Sequence, residues 1–124
     1  MEKSIDLKLT IPPSINMAYN WKNRRFKSKQ YKQWEKIAWM EMRWQKQFEI
    51  TWNKWLVADY TYFTPLFCKN RNKKIWDVGN YGKLLTDFLT HEIKGFKDEH
   101  IKELHLKKED SQNLKVLIKI YEYD

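Results

Sequence analysis

Carboxylates, an amide and a lysine are spaced along one stretch of the chain in a way that suits metal and phosphate chemistry. Asp77, Asn80 and Lys83 open a segment with helical periodicity, and Asp98 and Glu99 follow its end. Asp77 is placed where a helix N-cap is expected. Acidic groups on either side of one helix can be folded toward one another, and hard divalent cations prefer carboxylate oxygens. The spacing therefore predicts a divalent-metal site beside a bound phosphate.

A purely structural interpretation of the same residues stays open. In that interpretation Asp77 is only a helix cap, and Lys83 and Asp87 form only an exposed pair one helical turn apart. Asp98 and Glu99 are then a polar turn. Residue types alone do not decide between the two interpretations.

Length and composition predict one domain, residues 1–124, with a single core. Cys68 is the only cysteine, so no internal disulfide can form and a reducing compartment is expected. The three histidines, His91, His100 and His105, lack the spacing of a metal motif. The chain has no apolar run of membrane-spanning length and no signal peptide at its start, and a soluble, cytoplasmic protein is expected.

The charge balance predicts a polyanionic partner. The formal net charge is +8, aromatic residues make up 16% of the chain, and seven of them are tryptophans. Cations neutralise phosphates and aromatic rings stack on exposed bases, so this combination favours nucleic acid. Most of the rings are nevertheless expected to fill the core.

Two basic segments are the strongest candidates for phosphate contacts. The segment from Lys22 to Lys36 holds seven cations against one acid, Glu35, and residues 69–74 hold four cations and no acid. We interpret residues 24–25 and 69–74 as loops, and we expect residues 69–74 to bring positive charge directly to the Asp77 site. The predicted DNA-binding residues are Lys22, Arg24, Arg25, Lys27, Lys69, Arg71, Lys73 and Lys74.

Hydrophobic periodicity predicts strands over residues 4–11, 56–67, 101–108 and 114–121, and helices over 28–52 and 78–93. Residues 98–104 can alternatively form a short helical turn. Pro12 and Pro13 are expected to stop the first strand, Pro65 to mark the end or edge of the second, and Gly95 to cap the second helix. The last two strands are expected to pair as a hairpin. The fold class is α/β of the α+β type: a single mixed sheet packed with two main helices, in the order β-α-β-α-β-β.

The first helix is expected to bury a stripe of apolar residues spaced three or four apart. Three tryptophans lie off or beyond this stripe and are candidates to pack on another subunit. The predicted stripe is Tyr31, Trp34, Ile37, Met40, Trp44 and Phe48, and the three tryptophans are Trp39, Trp52 and Trp55.

These features together resemble the RusA family of Holliday junction resolvases. The first strand ends in Pro12-Pro13-Ser14, followed by Asn16. The later pattern is Asp77-x-x-Asn80-x-x-Lys83-x-x-x-Asp87-x-Leu89, then Asp98-x-x-Ile101 and an expected closing hairpin. The resemblance implies a homodimer that binds four-way DNA junctions and cuts opposed strands with Mg²⁺ or Mn²⁺. Such enzymes are common on phages and prophages, where they act in DNA recombination and repair. The element order matches over nearly the whole chain.

The resemblance also implies roles for individual residues. Asp77, Lys83 and Asp98 would be catalytic, with Asp77 and Asp98 as metal ligands and Asn80 orienting the site. Glu99 and Asp87 are alternative candidates for a further ligand. The chain departs from the family pattern at two positions: Gly79 stands where the family has a second aspartate, and Lys97 replaces the first member of the later acidic pair.

Three functions follow as alternatives. The first is a magnesium-dependent, structure-specific endodeoxyribonuclease. The second is a catalytically inactive relative that binds branched DNA or a protein partner, which the missing carboxylate at Gly79 favours. The third, independent of the resemblance, is a small basic adaptor whose exposed tryptophans bind another protein, for example as a phage-encoded inhibitor.

Overall fold

The computed structural model describes residues 4–13, 19–21, 25–45, 54–67, 70–72 and 78–123. The main sheet has four strands, and two helices pack on it. A small hairpin precedes the first helix, and a 3-10 turn, Asp98–His100, precedes the third strand of the main sheet. The elements are β1 (Ser4–Thr10), β2 (Tyr19–Trp21), β3 (Arg25–Lys27), α1 (Lys29–Gln45), β4 (Leu56–Thr64), α2 (Gly79–Glu92), β5 (Ile101–Asp110) and β6 (Lys115–Glu122).

The main sheet is mixed, with the strand order β1-β6-β4-β5. β6 is antiparallel to both β1 and β4, whereas β5 is parallel to β4. Parallel neighbours need a crossover connection, which α2 provides. The predicted fold class and the order β-α-β-α-β-β of the main elements are confirmed. The hairpin of β2 and β3 was not predicted, and it places Arg25 in a strand and not in a loop.

The prediction that the last two strands form a hairpin is wrong. β4 lies between β5 and β6 in the sheet. The physical reason is the distribution of apolar residues: β6 buries Val116, Ile118 and Ile120 completely, whereas eight of the ten residues of β5 are exposed. The strand with the most apolar surface to bury takes a central position, and β5 is left at the edge.

The core lies between the helices and one face of the sheet. Alternate residues of β1, Ile5, Leu7 and Leu9, are buried as predicted, and they pack in one cluster with apolar residues of β4, β6, α1 and α2. The strand ends before Pro12 and Pro13, also as predicted. The opposite face of the sheet carries the other set of alternating residues. The two described helices therefore pack on the same side of the sheet.

Helix α1 begins as expected, but it buries a different stripe. The Tyr31 backbone N–H donates to the Ser28 side-chain hydroxyl at 3.2 Å, which makes Ser28 the N-cap. The buried residues of α1 are Tyr31, Trp34, Ala38 and Met42. Of the predicted stripe, Ile37, Met40 and Trp44 are exposed, and Phe48 lies outside the described residues. Trp39 and Trp55 are exposed and Trp52 is outside the described residues, as is the predicted end of the helix.

Side chains of α1 close the free edge of β1. The Lys8 N–H donates to Gln45 Oε1 at 2.8 Å, and Gln45 Nε2 donates back to the Lys8 carbonyl at 2.8 Å. The Thr10 N–H donates to Glu41 Oε1 at 2.9 Å. These bonds occupy backbone groups that would otherwise be open to another strand, so this edge of the sheet is protected.

Helix α2 has no side-chain cap at its start. Its N-cap position is Val78, one residue after the predicted Asp77, which lies outside the described residues. At Gly82 a Cβ atom would lie 2.8 Å from Leu106 Cδ1, so the glycine lets α2 approach β5 closely. After the helix, Gly95 has a φ of 88°, a left-handed conformation that favours glycine.

Candidate nuclease site

Helix α2 runs antiparallel to β4 and β5, which fixes where the two halves of the predicted site lie. The ring of Tyr81 lies 6.0 Å from that of Tyr62, and further along α2 the Thr86 hydroxyl is 2.8 Å from the Tyr60 hydroxyl. The start of α2 is therefore near the carboxyl ends of both strands. Gly79 and Lys83 are exposed at this end. Asn80 is the second residue of α2.

Asp98 and Glu99 lie at the other end of α2. They form the 3-10 turn that leads into Ile101, and the His100 N–H donates to the Lys97 carbonyl at 3.0 Å. A strand rises about 3.3 Å per residue, so Ile101 and Leu106 are roughly 17 Å apart. Leu106 is the residue that Gly82 contacts. Within one chain, Asp98 therefore lies beside Glu99 and far from Lys83.

The chemistry of Asp98 and Glu99 suits a hard cation. Both side chains are exposed, and neither forms an ion pair with any residue that the structure describes. Their oxygens are therefore accessible to a metal ion. Across the described ranges, however, no three His, Cys, Asp or Glu side chains are grouped so that they could hold one. The two residues fit as part of a metal site and need at least one more ligand from elsewhere.

Lys83 and Asp87 do not form the exposed pair of the structural interpretation. No ion pair joins them among the described residues. Asp87 instead lies close enough to Tyr60 for its charge to help raise the pKa of that phenol. The ammonium group of Lys83 is thus left accessible at the start of α2.

The predicted DNA-binding residues are only partly described. Lys27 donates to Glu35 at 3.0 Å and its ammonium lies 5.3 Å from the centroid of the Tyr31 ring, so it already has partners. Arg71 is exposed and has a φ of 67°. Asp77 and five of the predicted DNA-binding cations, Lys22, Arg24, Lys69, Lys73 and Lys74, lie outside the described residues.

A second group of polar side chains lies on the face of the sheet opposite the two described helices. His105 Nδ1 is 3.6 Å from Asp59 Oδ1, and His105 Nε2 is 3.5 Å from Glu103 Oε2. About half of the His105 side chain is exposed. This arrangement is a polar surface cluster of one imidazole and two carboxylates. It lies away from the exposed ends of α2 and belongs to β4 and β5.

The phenols beneath α2 are structural and not acid–base groups. Burial is the main cause that raises the pKa of both Tyr60 and Tyr62 far above its ordinary value of 10.0. Tyr60 and Thr86 share the hydrogen bond described above, deep in the protein. Both phenols are therefore neutral at any physiological pH, and they hold α2 against β4.

We expect alkaline pH to unfold the protein through these phenols. Below pH 10 both are neutral whether the chain is folded or unfolded, so they add no pH dependence. Above pH 10 the unfolded chain loses protons that the folded chain retains, so the free energy of unfolding falls as pH rises, by up to about 1.4 kcal/mol per pH unit for each phenol. Urea titrations at pH 9 to 11 measure this slope. Tyr60→Phe should reduce it by about half, and an unchanged slope would contradict the assignment.

The solvent face of α1 is a feature that the sequence analysis missed. Opposite the buried stripe, this face carries four exposed cations, Lys29, Lys32, Lys36 and Arg43. Four large apolar side chains are exposed among or beside them: Ile37, Trp39, Met40 and Trp44. A helical wheel centred on Tyr31, Trp34, Ala38 and Met42 would have revealed it.

The structure thus defines a small α+β protein with exposed carboxylates, an exposed lysine and a basic helix face. These features are typical of proteins that act on nucleic acid. Comparison with protein families identifies it further: the chain matches the family described as endodeoxyribonuclease RusA over residues 11–121. Because the match covers most of the 124 residues, the chain belongs to the RusA family, a family of Holliday junction resolvases. No curated protein matches the chain. Within the described ranges, no helix is long and apolar enough to cross a membrane.

Proposed function

We propose that this protein is a divalent-metal-dependent endodeoxyribonuclease that cuts four-way DNA junctions. The observation that carries the proposal is the family match over residues 11–121. The exposed carboxylates of Asp98 and Glu99 and the exposed ammonium of Lys83 support it. We further propose that the protein is cytoplasmic and acts in phage or prophage recombination and repair.

The residues have separate roles in this proposal. Asp77 and Asp98, with Glu99 as a further ligand, would hold Mg²⁺ or Mn²⁺. The bound ion would supply an activated water and offset charge on the leaving oxygen. Lys83 would neutralise a phosphate oxygen of the strand that is cut. Asn80 would orient the site, and Arg25, Arg71 and the other predicted basic residues would contact the DNA backbone.

A homodimer is part of the proposal because one chain separates Lys83 from Asp98 by much of the length of α2. In a two-fold dimer the start of α2 in one protomer can face the 3-10 turn of the other. A site that one chain leaves incomplete can be completed in this way. Two copies also match the two opposed strands of a four-way junction.

The edge strand β5 is the surface that we propose for this dimer. Among the described strands it pairs with β4 alone, and it is mostly exposed, unlike the protected edge at β1. Antiparallel pairing about a two-fold axis at His105 would set Leu104 opposite the partner's Leu106. It would also set Glu103 opposite the partner's Lys107, an attractive pair made twice by symmetry.

We expect Leu104→Lys to weaken the dimer without unfolding the chain. Leu104 is 43% exposed in the single chain, and a cation there would join Lys102 and Lys108, which already face each other across the proposed interface. Sedimentation velocity over a range of concentrations measures the effect, with at least a tenfold rise expected in the dimer dissociation constant. Leu114→Lys is the matched control because Leu114 is 55% exposed in the turn before β6. Equal behaviour of the two variants would exclude β5 as the interface.

Cleavage of a synthetic four-way junction tests the enzymatic function. Wild-type protein with Mg²⁺ or Mn²⁺ should cut the junction at symmetrically opposed strands and leave a linear duplex of the same sequence intact. Asp77→Asn should abolish cutting and retain binding. Cutting that survives Asp77→Asn would show that the site is assigned to the wrong residue.

One position, residue 79, favours the alternative of a protein that binds junctions without cutting them. Gly79 is the first residue of α2 and supplies no carboxylate where the family pattern has its second aspartate. A protein that binds junctions tightly but cuts them with neither metal ion would be this inactive relative. Junction affinity that barely falls as salt rises would favour a protein adaptor instead, because phosphate contacts are salt-dependent.

A further inference from the structure

The solvent face of α1 combines positive charge with flat apolar surface. The face lies opposite the buried stripe of the helix and is formed by Lys29, Lys32, Lys36, Ile37, Trp39, Met40, Arg43 and Trp44. We propose that this face binds unpaired DNA bases, with tryptophan rings stacking on the bases and the cations contacting the flanking phosphates. The inference rests on the proposed function only in taking DNA as the polyanion.

The charges of α1 point to a polyanion and not to a second copy of the same helix. The two acids of α1, Glu35 and Glu41, lie beside the buried stripe, and each is paired inside the chain: Glu35 with Lys27 at 3.0 Å and Glu41 with Lys115 at 3.0 Å. Both acids of α1 are therefore paired with residues outside the helix, and the outer face as defined contains cations and no acid. Two such faces brought together would oppose cations to cations, whereas a phosphate backbone complements them.

The tryptophans of this face are arranged for contact with flat ligands. Trp44 is 83% exposed, the highest value of any large apolar side chain in the described ranges, and is in no ring contact with a described residue. Trp39 is 44% exposed, and the Arg43 guanidinium lies 4.8 Å from its ring centroid, which restrains the ring. A base can stack on an exposed indole at little free-energy cost, since every base presents an apolar face.

A groove beside Trp39 adds room for a base. It has a volume of about 610 Å³ and lies between α1 and the end of α2. Its walls are Lys32, Glu35, Lys36, Trp39, Met40 and Glu92. The two carboxylates in this wall already have partners, Lys27 for Glu35 and His91 for Glu92. An aromatic wall flanked by two lysines suits a nucleotide, with the base against the ring and the phosphate at the ammonium groups.

Unpaired bases are the specific ligand because a duplex hides its base faces. A duplex offers phosphates to the lysines but no flat surface to the indoles. The centre of a branched junction is one place where bases become accessible. The inference therefore predicts a preference for single strands that carry bases over strands of equal charge that lack them.

Fluorescence anisotropy with three labelled probes tests the inference: an oligothymidine, an abasic strand of the same length and a duplex. Wild-type protein should bind oligothymidine about tenfold more tightly than the abasic strand, the gain expected from one stacked base. Trp44→Leu should reduce this preference several-fold because leucine keeps apolar surface but offers no ring. Trp44→Phe should retain most of it.

Cation variants separate charge from stacking. Lys36→Ala should weaken binding of oligothymidine and abasic strand alike and lower the salt dependence by about 0.7 in log–log slope. Leu117→Ala and Lys119→Ala are controls, because both residues are exposed on the open face of the sheet and should leave the probe preference unchanged.

Two results would overturn the inference. One is a Trp44→Leu variant that keeps the full preference for bases. The other is a Trp44→Leu variant that binds all probes normally but loses a concentration-dependent self-association of the wild type, since the face would then be a protein interface. Junction cutting is measured separately: its absence with the base preference intact would refute the nuclease and leave this face in place.

Discussion

Replacing Trp34 with alanine is expected to cost about 3–5 kcal/mol of the free energy of unfolding. Trp34 is 4% exposed and lies where α1, α2 and β1 meet. Its ring is 4.7 Å from that of Phe88 in an edge-on arrangement, and its Nε1–H donates to the Thr10 carbonyl at 2.7 Å. Domains of this size are stable by about 5–15 kcal/mol, so the loss is a large part of the total.

Urea denaturation followed by circular dichroism measures this loss. Trp44→Ala is the matched control, because it removes the same side chain from the same helix at a position that is 83% exposed. It should change the free energy of unfolding by no more than about 0.5 kcal/mol. The loss in free energy of unfolding for Trp34→Phe should fall between those of the two alanine variants, since phenylalanine keeps a ring but loses the hydrogen bond to Thr10. Equal losses for Trp34→Ala and Trp44→Ala would contradict this packing.

The contrast between Trp34 and Trp44 shows what the sequence could predict of α1. The start of the helix at Ser28 and its amphipathic character followed from residue types. The predicted stripe failed because it advanced three residues at a time from Tyr31 to Met40. Each such step falls short of a full turn of 3.6 residues, so three in succession move about half way round the helix. Steps of three, four and four, which include Ala38, stay on one face.

Strand pairing was harder to predict than strand position. The alternation of Ile5, Leu7 and Leu9 and of Val116, Ile118 and Ile120 located two strands within a residue or so of their observed bounds. Their neighbours in the sheet depend on how much apolar surface each strand must bury, compared across the whole chain. β5 has little to bury, and its adjacency to β6 in sequence favoured a hairpin that the chain does not form.

The two halves of the predicted site lie at opposite ends of α2, and the length of this helix separates them within one chain. Lys83, Asp98 and Glu99, which the sequence pattern selected, are exposed. The pattern gave no information on the direction of α2, and the expectation that its two ends fold together within one chain was a guess about tertiary structure. Whether Asp77 meets Asp98 stays a prediction, and the proposed dimer supplies the arrangement in which it can.

Restoring a carboxylate at position 79 is expected to increase cutting of four-way junctions. Gly79 is exposed in the first turn of α2 and has no left-handed φ that would require glycine. Gly79→Asp therefore fits the backbone, and its negative charge is favourable at a helix start. A further charged oxygen ligand strengthens the hold on Mg²⁺ and should raise the cutting rate at limiting Mg²⁺ by about tenfold to a hundredfold.

Asp98→Asn is the counterpart that separates metal chemistry from DNA affinity. The amide has the size of the carboxylate and lacks its charge, so cutting should fall by at least about a thousandfold in both the wild-type and the Gly79→Asp background. Junction affinity should stay within a few-fold, because Asp98 is exposed and removing a negative charge does not weaken phosphate contacts. Asp6→Asn removes an exposed carboxylate in β1, at the opposite edge of the sheet, whose Oδ2 accepts the Ser4 hydroxyl, and this variant should cut normally. If Gly79→Asp raised cutting equally with and without Asp98, the new carboxylate would be acting elsewhere and the metal assignment of Asp98 would fail.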